Sequence, residues 1–236
     1  MWVALAVASG QLTVGWTNDY LDRDRDRQAG RIDKPIVAGQ IRARVVLGSA
    51  TIAMMFCVPL SFASGTAAGA VHLSAVAAAL AYNAGLKSTV ASAVPYAYAF
   101  GALPAFVTLG LTRSHLPPVW AVSAGALMGV GAHFMNTLPD RAGDRQAGVR
   151  GLPQRLPATL SLVAGVALLS AAALLAALAP AGTPSATSVC FAAAALGSSA
   201  AVLGAILVGR HRLAWSLTIA VAALTVSGFI ASGRTL

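Results

Sequence analysis

The sequence predicts an all-α, polytopic bundle of membrane-spanning helices, and three observations support this. Hydrophobic residues make up 57% of the chain and charged residues only 10%, whereas a soluble domain has about 25% charged residues. The apolar residues form long runs that approach the roughly 20 residues a bilayer-spanning helix needs. The alternating pattern of a membrane β-barrel is missing, and an open strand cannot satisfy its backbone hydrogen bonds in lipid.

Eight helices are expected, in order along the chain. We place them at residues 1–17, 43–63, 67–84, 90–111, 117–137, 158–180, 187–208 and 213–232. Glycine, alanine and serine are frequent in these runs and suit close helix–helix packing. Cys57 and Cys190 each stand alone in an apolar run, so we interpret them as packing residues and not as metal ligands.

Loop charge predicts how the helices are oriented. Arg113 and Arg234 fall on one side of the membrane, and the other fourteen basic residues fall on the opposite side, namely Arg23, Arg25, Arg27, Arg31, Lys34, Arg42, Arg44, Lys87, Arg141, Arg145, Arg150, Arg155, Arg210 and Arg212. Positive loops face the cytoplasm, so we expect a multi-pass protein of the cell membrane. The net charge of +9 is thereby explained without a nucleic-acid partner.

An acidic segment occurs twice at an offset of 118 residues, so that Asn18, Asp22 and Asp26 correspond to Asn136, Asp140 and Asp144. All seven acidic residues are aspartates in or beside these two copies: Asp19, Asp22, Asp24, Asp26, Asp33, Asp140 and Asp144. The offset contains four helices, an even number, which predicts a parallel internal repeat of halves 1–116 and 117–236 within a single domain. Both acidic segments then emerge on the cytoplasmic side and can converge on one site.

The spacing within each copy predicts a polar face on a helix. Asn18, Asp22 and Asp26 are four residues apart, and so are their counterparts. Carboxylates without clustered cysteine or histidine favour Mg²⁺, which prefers carboxylates together with substrate phosphates. The interleaved arginines fit a polyanion bridged by the metal. The ligand implied is a diphosphate with an apolar remainder, and an isoprenyl diphosphate meets both requirements.

The segment Asn18-Asp19-x-x-Asp22-x-x-x-Asp26 resembles the first aspartate-rich motif of the UbiA-type intramembrane prenyltransferase superfamily, and Asp140-x-x-x-Asp144 resembles the second. The resemblance spans nearly the whole chain and implies a bundle of usually nine helices. It also implies transfer of a prenyl group to an aromatic or other lipophilic acceptor, with Mg²⁺ held by both motifs. Eight helices would leave the N-terminus outside, so we expect the first helix of the family fold to be missing from this chain.

The resemblance also assigns expected roles to residues. The metal-holding, catalytic positions are Asp19, Asp22, Asp26, Asp140 and Asp144; the substrate-binding positions are Asn18, Asn136, Lys34, Tyr82 and Lys87. Tyr82 and Lys87 resemble the family's Tyr-x-x-x-Lys loop, but their spacing is five and not four. On a continuous helix the extra residue turns Lys87 by about 100°, so contact with the diphosphate requires an irregular loop. Otherwise Lys87 is only one of the positive loop charges that orient the helices in the membrane.

Other interpretations remain open. Mixed Asp and Arg loops at helix ends are often only surface charge, although two copies in register favour a function. A terpene cyclase on the same scaffold would use the same metal site without an acceptor. A transporter built on the parallel repeat would more often place its ionisable residues near the bilayer midplane. His133, one turn before Asn136, is interpreted as a packed histidine.

Overall fold

The computed structural model describes residues 1–139, 141–146 and 148–232, and this part of the chain contains helices and loops but no strand. Eight helices are long: α1 (Trp2–Gln28), α2 (Ala43–Phe62), α3 (Thr66–Ala84), α4 (Ala93–Leu109), α5 (Val119–Asn136), α8 (Ala158–Leu178), α9 (Ala186–Leu207) and α10 (His211–Ser232). Two are short, α6 (Arg141–Gln146) and α7 (Leu152–Arg155). The all-α prediction is therefore confirmed.

The bounds of seven long helices agree with the predicted segments to within a few residues, whereas α1 extends well beyond residue 17. Ion pairs between residues three apart, such as Asp22 with Arg25 and Asp24 with Arg27, support the helix through its charged last turns. Two residues after the helix comes Gly30, whose φ of 67° is one that glycine adopts without strain. The Arg31 N–H then donates to the Asp26 carbonyl, and the Gly30 N–H to the Arg27 carbonyl, as in a Schellman cap.

Within the described residues, six helical segments are long and apolar enough to cross a membrane, and they lie in α2, α3, α4, α8, α9 and α10. The chain is therefore an integral membrane protein. The two remaining long helices, α1 and α5, carry the polar segments that the repeat relates. The last turns of α1 alternate Asp and Arg, and α5 contains His133, Asn136 and several glycines.

The helix order follows the sequence repeat. Helices α1 to α4 begin at residues 2, 43, 66 and 93, and α5, α8, α9 and α10 begin at 119, 158, 186 and 211. Each long helix thus has a counterpart close to 118 residues later. The parallel relation of the two halves in the membrane remains a prediction.

The described residues form two compact units. One comprises residues 1–95, 105–116 and 141–152, and the other comprises the described residues of 96–104, 117–140 and 153–236. The units therefore differ from the repeat halves, because residues 96–104 and 141–152 are exchanged between them.

Four helices of the first unit meet around His72 of α3. The His72 imidazole stacks on the Phe106 ring of α4, with centroids 4.5 Å apart, and its Nδ1 lies 2.7 Å from the Ser61 hydroxyl of α2. Gly10 of α1 faces the same ring, because a Cβ at Gly10 would lie 3.3 Å from the imidazole. Ala6 and Ala68 complete this core. A buried polar contact is thereby satisfied inside an apolar helix bundle.

The second unit packs α5 against α4 and α8 through small residues. A Cβ at Gly125 would lie 2.6 Å from the Phe100 carbonyl oxygen, and one at Gly129 would overlap the Tyr96 carbonyl oxygen. His133 is fully buried and stacks on Tyr96 with ring centroids 4.6 Å apart, as the packed-histidine interpretation expects. The apolar core of this unit joins α5, α8, α9 and α10 through Met135, Val166, Leu169, Val202, Ala205, Ala214 and Val221.

Candidate functional site

The first aspartate-rich segment lies on one continuous helix, so the predicted spacing holds. Asn18, Asp22 and Asp26 follow one another at intervals of four residues in the last turns of α1. Asp22 and Asp26 are each only 6% exposed. Carboxylates this buried need compensating partners, and the two differ sharply in how they obtain them.

Asp22 is held at both of its carboxylate oxygens. Its Oδ1 accepts from the Lys87 ammonium, and its Oδ2 accepts from Arg25 Nη2 at 2.7 Å and from Asn18 Nδ2 at 3.0 Å. Two cations and one amide thus fix the plane of this carboxylate. Such charge-assisted hydrogen bonds are the strong ones in a protein.

Lys87 reaches Asp22 because the chain is irregular between them. Helix α3 ends at Ala84, and Lys87 lies in a 3₁₀ turn at Leu86–Ser88 after Gly85. The 100° rotation expected for a continuous helix therefore does not apply. Burial lowers the pKa of Lys87, and the Asp22 carboxylate opposes that shift. A partly desolvated ammonium next to a carboxylate is suited to meeting phosphate oxygens.

A second face of α1 carries Asp19, whose Oδ1 accepts from Lys34 Nζ at 2.6 Å. This face lines a cavity of about 130 Å³ beneath the loop that follows α1. The cavity is lined by Trp16, Asp19, Arg23, Asp26, Lys34, Pro35, Ile36, Val37, Ile41 and Val46. Two carboxylates and two cations therefore share one small space.

Asp26 has no such partner. In the described part of the chain no hydrogen bond or ion pair reaches its carboxylate, although Lys34, Arg25 and Arg31 act on it at longer range. Burial raises the pKa of Asp26, and the nearby Asp22 adds to this, while the three cations oppose it. A buried carboxylate whose oxygens accept no hydrogen bond in the described part of the chain is an oxygen donor of the kind that a hard cation such as Mg²⁺ accepts.

The second segment is only partly described. Asn136 is the last residue of α5 and is exposed, and Asp144 lies half-buried in α6. Asp140 lies outside the described residues. Among the described residues, no three side chains of the metal-ligating types are grouped closely enough to hold an ion. The convergence of both segments on one site therefore stays a prediction.

Asn83 was not among the site residues predicted from the sequence. This residue of α3 is 6% exposed; its Oδ1 accepts from Asn18 Nδ2 at 3.1 Å and its Nδ2 donates to the Val14 carbonyl at 2.9 Å. Tyr82, the predicted residue, lies half-buried beside it in the last turn of the helix. Asn83 is four residues before Lys87, which is the spacing of the resembled loop, and this is the signal that could have identified it.

The loop that contains Lys87 is also held at its other end. The fully buried Ser92 accepts from the Leu152 N–H through its Oγ at 2.8 Å. Leu152 belongs to the basic segment Arg150–Leu156 that follows Asp144. This segment therefore contacts the same loop that delivers Lys87 to Asp22.

The fold is similar to those of solved structures from two archaea. An apo UbiA homolog from Aeropyrum pernix K1 matches with a TM-score of 0.76 and 21% identity, over 98% of this chain and 88% of that one. A UbiA homolog from Archaeoglobus fulgidus bound to GPP and Mg²⁺ matches with a TM-score of 0.69 and 17% identity, over 97% of this chain and 86% of that one. A UbiA homolog from Archaeoglobus fulgidus bound to DMAPP and Mg²⁺ matches with a TM-score of 0.69 and 16% identity, over 100% of this chain and 87% of that one.

No curated protein sequence matches the chain. The sequence profile of the UbiA prenyltransferase family, in contrast, matches residues 1–212. That match includes both aspartate-rich segments and the Lys34 and Lys87 loops. The chain belongs to the UbiA prenyltransferase family.

Proposed function

We propose that this protein transfers the prenyl group of an isoprenyl diphosphate to an aromatic or other lipophilic acceptor, in a reaction that requires Mg²⁺. The observation that carries the proposal is the arrangement of the first segment. Its carboxylates lie against Lys34 and Lys87, which come from two different loops. A site with several carboxylates and two ammonium groups suits a metal-bound diphosphate better than a metal alone.

The likeness to the archaeal structures supports the choice of ligand. Two structures of UbiA homologs from Archaeoglobus fulgidus contain GPP and Mg²⁺ in one case and DMAPP and Mg²⁺ in the other. GPP and DMAPP are both allylic diphosphates with a charged head and an apolar chain. The six apolar helices of this chain supply the lipid-like surroundings that such a chain needs.

Asp19, Asp22 and Asp26 would hold Mg²⁺ together with Asp140 and Asp144 of the second segment. Asn18 and Asn136 would orient these carboxylates or complete the ligand set. When bound, Mg²⁺ neutralises the negative charge that develops on the departing diphosphate. The free oxygens of Asp26 and its burial are the features of this chain that best fit a metal ligand.

The lysines would bind the diphosphate oxygens and favour cleavage of the allylic C–O bond. The electron pair of that bond leaves with the diphosphate, and the electron-rich carbon of the acceptor bonds to the allylic carbon. The proton released from an aromatic acceptor passes to water, to the diphosphate or to a carboxylate of the site. Apolar helices around the reacting carbon exclude water, which would otherwise capture it.

The test is incubation of membranes that contain the protein with labelled GPP, Mg²⁺ and a lipid extract, followed by mass spectrometry. The proposal expects a prenylated lipophilic product that requires both Mg²⁺ and the extract. A labelled cyclic hydrocarbon formed from GPP alone would identify a terpene cyclase instead. Absence of any Mg²⁺-dependent diphosphate release would contradict an enzyme of either kind and favour transport.

A further inference from the structure

Asn83 does not touch the Asp22 carboxylate, but it is linked to it through hydrogen bonds of Asn18. Asp22 Oδ2 accepts from Asn18 Nδ2, and the same nitrogen donates to Asn83 Oδ1 on the neighbouring helix. If the Asn18 amide were turned over, its oxygen would face both the Asp22 carboxylate and the Asn83 oxygen. The two acceptors together therefore select one orientation of the Asn18 amide.

Asn83 is fixed in its turn by the backbone of α1. Its Nδ2 donates to the Val14 carbonyl at 2.9 Å, so its oxygen must face Asn18. The Val14 carbonyl belongs to a continuous helix, and its direction is set by that helix. The hydrogen bonds thus form a directed chain from the α1 backbone through Asn83 and Asn18 to Asp22.

The position of Asn83 ties the chain to Lys87 as well. Lys87 follows Asn83 by four positions, and α3 ends between them. The contact of Asn83 with α1 therefore also brings the Lys87 turn next to Asp22. Asn83 is buried in a mostly apolar helix, where a polar amide is tolerated because its acceptor and one of its amide protons are bonded.

We infer that Asn83 is a positioning residue for the diphosphate and metal site, which sets the orientation of Asn18 and Asp22 and the reach of Lys87. The inference rests on the proposed function of the site. Asn83 meets neither metal nor diphosphate in this role. Residues that hydrogen-bond to metal ligands commonly affect metal affinity or activity by about 10- to 100-fold.

The test replaces Asn83 by leucine, which has a similar size but no hydrogen bonds, and by alanine in case leucine does not fold. The measurement is the Mg²⁺ concentration that gives half of the GPP-induced rise in unfolding temperature of the purified protein. We expect both variants to need about tenfold more Mg²⁺ than the wild type. An unchanged Mg²⁺ requirement in a folded variant would overturn the inference.

A matched control separates positioning from general stability. His72 lies in the same helix, is similarly buried and bonds to Ser61 of a neighbouring helix. His72→Phe should lower the unfolding temperature but leave the Mg²⁺ requirement unchanged. If His72→Phe raised that requirement as much as Asn83→Leu, the effect of Asn83 would be structural and the inference would be wrong.

A double-mutant cycle tests the route through Asn18. If Asn83 acts through Asn18, then Asn18→Leu and Asn83→Leu should each raise the Mg²⁺ requirement, and the double variant should raise it by less than the two single effects combined. Fully additive effects would contradict the hydrogen-bonded chain. If the wild type itself gave no Mg²⁺-dependent shift with GPP, the proposed function would fail, and the inference with it.

Discussion

The ammonium of Lys87 contacts the carboxylate of Asp22, although 65 residues separate them in the sequence. The side chains are only 11% and 8% exposed. Buried ion pairs contribute little net stability, but removal of one partner leaves the other charge uncompensated. A pair of this kind at the end of an apolar helix is better explained by a function that uses the charges than by stability alone.

Replacement of Lys87 by alanine is expected to lower kcat/KM for GPP by about 10²- to 10³-fold, as loss of one group that stabilises a developing negative charge typically does. The measurement is the steady-state rate of diphosphate release at saturating Mg²⁺. Arg27→Ala is the control. Arg27 pairs with Asp24 on the surface, where both side chains are about 60% exposed, and such pairs are worth about 0–1 kcal/mol. Equal activity of the two variants would contradict the role of Lys87.

Asp26→Asn is expected to raise the unfolding temperature at pH 7 while it lowers activity. Burial raises the pKa of Asp26 above 3.8, so the folded state binds this proton more tightly than the unfolded state does. The contribution of the group to stability is therefore full below pH 3.8 and is lost as the pH rises through the raised pKa. At pH 7 the charged form carries a cost that asparagine removes.

Asp33→Asn is the control for Asp26→Asn, because the pKa of Asp33 is shifted in the opposite direction from that of Asp26. A hydrogen bond from Arg31 lowers the pKa of the exposed Asp33, so its contribution to stability is present above pH 3.8 and is lost in acid. Asparagine at this position should therefore leave the unfolding temperature at pH 7 unchanged or slightly lower. A lower unfolding temperature for Asp26→Asn than for the wild type at pH 7 would contradict our interpretation of the buried carboxylate.

Gly129→Ala is expected to destabilise the protein, since the new Cβ would overlap the Tyr96 carbonyl oxygen and force α5 away from α4. Overpacking of this kind costs about 1–3 kcal/mol, which would appear as a fall of several degrees in unfolding temperature in detergent. Gly197 in α9 provides the comparison, because a Cβ there meets no atom of the described chain within 4 Å. Gly197→Ala should be neutral or stabilising by about 0.5–1 kcal/mol, and a similar loss in both variants would argue against the close approach.

Single cysteines can test which loops face the cytoplasm. Cys57 and Cys190 are first replaced by alanine, and a cysteine is then placed at exposed Gln28 or at exposed Ser114. Loop charge predicts that a membrane-impermeant maleimide added to intact cells labels the Ser114 position and not the Gln28 position. Labelling of Gln28→Cys in intact cells would reverse the predicted orientation.

Much of the fold could be predicted because apolar runs in a membrane leave helix as the only assignment. Hydropathy ends the first segment at residue 17, where the charges begin. The spacing of Asn18, Asp22 and Asp26 predicted a helix beyond that point, and the ion pairs of Asp22 and Asp24 support it as far as Gln28. The spacing of Asn18, Asp22 and Asp26 predicted one polar face on α1, whereas the structure has aspartates on two faces of this helix. Asp22 points to Lys87 and Asp19 to Lys34, because residues three positions apart lie on adjacent parts of the helix surface.

The residues that act across helices were harder to predict. Asn83 is one amide in an apolar run, and only its contacts with Asn18 and Val14 give it a role. Lys87 was predicted to bind substrate because of its spacing from Tyr82, but whether its side chain reaches Asp22 depends on how α3 ends. Helix ends and loop turns depend on tertiary contacts that a sequence pattern does not contain.

The central claim is tested most directly by the release of diphosphate from GPP in membranes that contain either the wild type or Asp22→Asn. We predict release that requires Mg²⁺ in the wild type and falls to the background of empty membranes in Asp22→Asn, with both proteins present in equal amounts and equally stable. Release at the wild-type rate from Asp22→Asn, or release by the wild type that persists after chelation of Mg²⁺, would contradict the account.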